Sequence, residues 1–101
     1  TSTYCTFLGY MSGLGSATQR TNAIAIGYNA VVDQDNCCVL GNSSTKVAIG
    51  QSTAAEALDV NGNIIATGYK SSDGSVGATG SFTTTDGKTV TVKNGLITNI
   101  V

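Results

Sequence analysis

Four short apolar segments that each end on glycine constrain this 101-residue chain more than any other feature. CTFLG (Cys5 to Gly9), AIAIG (Ala23 to Gly27), CCVLG (Cys37 to Gly41) and KVAIG (Lys46 to Gly50) align on their last residue. Self-similarity of this kind marks repeat architectures, in which no unit can bury its apolar face alone and stacked neighbours bury it together. Alternate residues of a strand share a face. Leu8, Ile24, Ile26, Cys38, Leu40, Val47 and Ile49 therefore form one side of the segments, with Thr6 at the remaining position, and are taken as the inner core.

The opposite side carries Phe7, Ala25, Val39 and Ala48. All four are apolar, where a sheet with a wet side would carry polar residues. The expectation is an all-β chain whose residues 1–51 form a Gly-punctuated β-roll or solenoid, with Phe7, Ala25, Val39 and Ala48 meeting neighbouring chains. Gly9, Gly27, Gly41 and Gly50 end the strands at corners, where a positive φ suits glycine. Their spacings of 18, 14 and 9 make the repeat irregular, and the longest carries the polar SATQRTN stretch.

After residue 51 the pattern changes. Residues 52–68 read as a connector, STAAEA, followed by a hairpin about Asn61-Gly62 in which Leu58 and Val60 pair with NIIA. Residues 69–80, rich in Gly and Ser, read as a loop or hinge. Residues 81–101 read as a three-stranded meander turned at Asp86-Gly87 and Asn94-Gly95. Phe82, Val90, Val92, Leu96 and Ile100 would share its apolar side, with Thr and Lys on the other. Gly62, Gly87 and Gly95 are its turn glycines and those of the preceding hairpin.

Composition argues for partners and against chemistry. The chain is 41% hydrophobic but 6% aromatic, with no Trp. Ordering a residue costs roughly 1–2 kcal/mol of backbone entropy, and small aliphatics return little buried area, so the missing burial is expected from further copies in a homotrimer. With no His, imidazole bases and ligands are excluded, and no catalytic residue, cofactor or metal is assigned. A net charge of -1 with 11% charged residues gives no basic stripe for nucleic acid. No apolar run approaches the roughly 20 residues of a membrane-spanning helix. A start at Thr1 reads as a processed chain or part of a longer one.

Individual candidates resolve the same way. Cys5, Cys37 and Cys38 suit small buried hydrophobes, the alternative being bridges between chains at Cys5 or Cys37. Asp33, Asp35 and Asn36 resemble the start of a calcium loop but lack its sixth-position Gly and twelfth-position Glu, so they read as a solvated turn. Glu56 has no carboxylate partner nearby in sequence. Thr83 to Thr85, Thr89 and Thr91 suit the wet side of a sheet. Tyr4, Tyr10, Tyr28 and Tyr69 are the rings that could stack on sugar, and Tyr10 and Tyr28, each directly after a repeat glycine, are expected to stack on one edge.

NAIAIGYNA and KVAIGQSTA resemble the head repeats of trimeric autotransporter adhesins, and VLGNSSTKVAIGQSTAAEALDVNGNI followed by GSFTTTDGKTVTVKNGLITNI resembles the distal modules of phage tail fibres. The resemblance covers roughly Cys5 to Val101, without the adhesins' steadier period and without a helical stalk. It implies a homotrimeric, structural fibre segment of a virion or an extracellular surface, supporting or displaying an element that binds a cell-surface glycan or protein receptor. The alternatives are a glycan-binding adhesin head and a subunit of an extracellular filament.

Overall fold

The computed structural model describes residues 2–101 and is all-β, with no helix among them. It divides into two units, Thr1–Asn63 and Ile64–Val101. The architecture includes a β-solenoid of about 4 turns.

In the first unit, β1 (Thr6–Leu8), β3 (Ala23–Ile26) and β5 (Cys37–Leu40) form one parallel sheet in that order. Phe7 lies beside Ala25, and Ala25 beside Val39. A second wall pairs β2 (Gly13–Leu14) with β4 (Val31–Val32), also in parallel. Between the walls Ala23, Ala25, Ala30 and Val32 are fully buried, packed by Cys5, Leu14, Cys37 and Val39. Stacking is tightest at the corners: a Cβ on Gly9, at φ 129°, would lie 2.6 Å from the carbonyl oxygen of Gly27. Strand entries stack as well. Tyr4, Asn22 and Asn36 all adopt positive φ. The Asn22 side-chain amide donates to Asn36 Oδ1 at 3.2 Å.

Three expectations are corrected here. First, the two faces are exchanged. Ala25, expected between chains, is fully buried inside the coil, while Leu8, Ile26, Leu40 and Ile49, expected in the inner core, are exposed. Ile24 and Val47 are half-buried and Cys38 is exposed. The cause is volume: no side chain larger than Val32 is fully buried between the walls, so the bulkier Leu and Ile of β1, β3 and β5 turn outward. Phe7 and Val39 share the phase of Ala25, but Phe7, on the edge strand, stays 42% exposed.

Second, the fourth glycine segment does not stack on the third. β6 (Val47–Ile49) pairs in parallel with β7 (Leu58–Val60). Fourteen residues bring Gly27 around to Gly41, and the nine that follow cannot complete another such coil. The chain instead turns at Asn42–Thr45, where the Asn42 amide donates to Thr45 Oγ1 at 3.0 Å. Third, there is no hairpin at Asn61-Gly62. Leu58 and Val60 lie beside Val47 and Ile49, and NIIA contributes no strand. The Asn61 amide donates to the Ile49 carbonyl at 2.9 Å, the bond that Gly27 makes to Leu8 and Gly41 to Ile26. Ala48, half-buried, lies opposite Asp59.

In the second unit, β8 (Gly80–Thr83), β9 (Thr89–Lys93) and β10 (Leu96–Ile100) form an antiparallel sheet with β9 central. Asn94 and Gly95 both have positive φ, as a two-residue turn matched to strand twist requires. That turn sets Lys93 opposite Leu96, so Ile97, not Leu96, comes to lie across from Val92. A bulge between Ile97 and Asn99 restores Ile100 to Val90, whose other neighbour is Phe82. Val90 is the one buried hydrophobic residue described in this unit. Within residues 69–80, expected as open loop, Lys70 bridges Val76 and the Ser71 amide donates to the Ser75 carbonyl at 2.9 Å. Asp73 closes the tip by accepting from the Ser71 hydroxyl and the Ser75 amide, which lower its pKa to about 2.

Candidate functional site

The side chains that β1, β3 and β5 turn away from the coil form two rows, Thr6–Ile24–Cys38 and Leu8–Ile26–Leu40. Parallel in-register pairing repeats each position at the strand spacing of about 4.8 Å, so each row is a continuous ladder. Leu8 is 63%, Ile26 37% and Leu40 51% exposed. None of the six positions is charged. Just beyond the corner glycines, the rings of Tyr10 and Tyr28 stack at 6.0 Å between centroids and 7° between planes. They follow the same strand repeat as the ladder. Ile49 and Leu58 leave β6 and β7 equally exposed.

The polar candidates hold coils together. Asp33 accepts from Arg20 Nη2 and from the Ser16 hydroxyl, both at 2.7 Å. The Arg20 bond, then the Ser16 bond, holds its carboxyl below the ordinary value. Asp35 accepts from the Thr21 amide at 3.0 Å, and Asn36 is bound to Asn22. No group of three or more Cys, Asp or Glu residues among those described is arranged to hold a metal ion. All three thiols are free. Cys5 and Cys37 pack against the core, whereas Cys38 lies exposed in the outward row. In the second unit a shallow cleft of about 280 Å³ is lined by Thr67, Gly68, Tyr69, Lys70 and Val76.

The outward ladder is the feature that sequence reasoning placed on the wrong side. Its signal was present in residue size: one face of the repeats offers Ala23, Ala25, Cys37 and Val39, the other Ile24, Ile26, Cys38 and Leu40. No family model matches the chain, and neither does any curated protein or solved structure.

Proposed function

We propose that this chain is a structural segment of a homotrimeric fibre, of the tail-fibre kind, which supports or displays a receptor-binding element on a virion or an extracellular surface. The observation that carries the reading is the uncharged aliphatic ladder left exposed on a parallel β-stack whose interior holds little more than alanine and valine. The stack supplies length and stiffness, because each added coil extends it along the strand-stacking direction. Association supplies the burial that each coil lacks. Nothing in this role needs a nucleophile, a base or a metal. Light scattering tests it: a mass near three chains supports the trimer, and a monomer of 10.2 kDa refutes it.

A second reading, an adhesin head that binds glycans, is favoured by the stacked and exposed Tyr10 and Tyr28. Aromatic faces of this kind suit the apolar faces of sugar rings. On that reading, replacing both rings with Ala abolishes glycan capture and leaves oligomer mass unchanged. On the fibre reading there is no capture to lose.

A further inference from the structure

Glycine follows Asn61, Asp73, Asp86 and Asn94 in this chain. A side-chain carbonyl just before glycine lies open to attack by the glycine's own backbone nitrogen, since glycine has no Cβ to hinder the approach and its backbone is free to adopt the geometry. The fold separates these places. The Gly74 amide donates to the Ser71 carbonyl at 2.9 Å, the Gly87 amide to Thr84 at 3.0 Å and the Gly95 amide to Ala78 at 2.9 Å. Each of these glycines is also held at positive φ. Gly62 differs: its φ is not positive, its amide has no partner among the described residues, and a Cβ on it would meet nothing within 4 Å. The hairpin that would have tied this amide is absent, because β7 pairs with β6 instead.

We propose that Asn61 is the site at which the folded chain deamidates. The Gly62 nitrogen, having given its proton to hydroxide, bonds to the Asn61 Cγ; the Cγ–Nδ2 bond breaks, and ammonia leaves with a proton from water. Water then opens the cyclic imide, at the side-chain carbonyl to give aspartate or at the backbone carbonyl to give isoaspartate. Water is consumed and ammonia released, with no oxidant or reductant. The Asn61 side chain is exposed, and what opposes the attack is its Nδ2 bond to the Gly50 carbonyl at 3.2 Å. Conversion alters the corner that closes β7 on β6. Asn61 stands where earlier coils have Gly27 and Gly41, with its amide bound to the Ile49 carbonyl at 2.9 Å. Either product removes the Nδ2 donor and adds a negative charge near the Gly50 carbonyl, and isoaspartate also inserts a methylene into the backbone path.

The test ages the full chain in mildly alkaline buffer, with and without urea, and maps its peptides by mass spectrometry with electron-transfer fragmentation, which tells isoaspartate from aspartate. In the folded chain Asn61 should convert roughly 2- to 10-fold faster than Asn94, the factor that one net hydrogen bond at the Gly95 amide supplies. Urea should bring the two rates together, because both are then Asn-Gly in an open chain. Gly62→Ala, whose Cβ meets no neighbour, should keep the β spectrum and suppress conversion at Asn61 alone. The deamidated fraction, separated by its added charge on ion exchange, should melt below the unaltered chain. Conversion of Asn61 no faster than that of Asn94 in the folded chain, conversion confined to urea, or undiminished conversion in Gly62→Ala overturns the site. Equal melting of the two fractions overturns the effect on the corner.

Discussion

The corner glycines separate two costs that are usually confounded, backbone strain and physical overlap, and four Gly→Ala changes within the first unit can measure both. At Gly13 a Cβ would meet nothing within 4 Å, and no positive φ is involved. Alanine there should be neutral or stabilise by about 0.4–1 kcal/mol through the unfolded chain. Gly50 has φ 73° and an ordinary 3.4 Å approach to the Asn61 carbonyl, so it isolates the strain. That strain is about 1–2 kcal/mol. Gly27, at φ 118°, adds a 3.2 Å approach to the Gly41 Cα, and Gly9, at φ 129°, adds 2.6 Å to the Gly27 carbonyl oxygen. The Gly27 backbone is held by its bond to Leu8 at 2.7 Å and cannot yield without opening the stack. Overpacking of about 1–3 kcal/mol then joins strain of similar size, for a total of roughly 3–5 kcal/mol at Gly9. Urea unfolding followed by circular dichroism, at one fixed protomer concentration, should rank the costs Gly13, Gly50, Gly27, Gly9. A fall in m for Gly9→Ala would mark loss of the first coil alone. If Gly9→Ala proves no costlier than Gly50→Ala, with m unchanged, the close stacking of corners is not a constraint and the reasoning fails.

Ala25→Asp buries a charge where the coil offers no partner and should unfold the solenoid at a cost of several kcal/mol, whereas Ile26→Asp should keep the β spectrum and lose oligomer mass. Asp33, whose carboxyl Arg20 and then Ser16 hold below 3.8, adds stability above its unfolded pKa and loses it as pH falls through the lower folded value. Melting temperature should therefore fall below about pH 4, and Asp33→Asn should flatten that limb. Gly95→Val, at φ 84° and 3.3 Å from the Gly77 Cα, should lower the melting temperature of the second unit more than Thr91→Val does. Replacing Cys5, Cys37 and Cys38 together with Ala should leave oligomer mass intact in light scattering, at a packing cost of about 1 kcal/mol at each half-buried site.

The stacking was legible because glycine recurs at the crowded corners, at Gly9, Gly27 and Gly41, where a Cβ would meet its neighbours. Which face turned inward was not, because alternation fixes two faces and is silent on which is inside. Side-chain volume decides that: Ala23 and Ala25 fit between β1–β3–β5 and β2–β4, and Ile24 and Ile26 do not. β7 was hidden because Asn61 stands where the other coils have glycine, and Asn61-Gly62 is also a strong hairpin signal. The strand beside Val47–Ile49 competes with that turn and prevails. Leu96 was misplaced by a single phase step, since the two residues of the Asn94-Gly95 turn decide which of Leu96 and Ile97 faces Val92. The metal-like run at Asp33 and Asp35 resolves into bonds between successive coils, which depend on residues 13 to 17 positions away and leave no local signature.

A coil filled with alanine has a consequence for how the protein folds. Fully burying a Leu or Ile side chain stabilises by about 1.5–3 kcal/mol, and Leu8, Ile26 and Leu40 retain 63%, 37% and 51% of their exposure. Covering that remainder adds roughly 2–5 kcal/mol per chain, a large part of the 5–15 kcal/mol that holds a whole domain. On the trimeric reading proposed above, association and folding are coupled, because a partner that binds only the stacked form shifts the unfolding equilibrium by mass action. The melting temperature should rise with protein concentration in the unaltered chain. In Leu40→Asp, which places a charge on the exposed ladder and leaves the coil interior untouched, it should be lower and independent of concentration. Concentration independence in both would mean that the stack is stable alone, and the exposed ladder would then contribute nothing to folding.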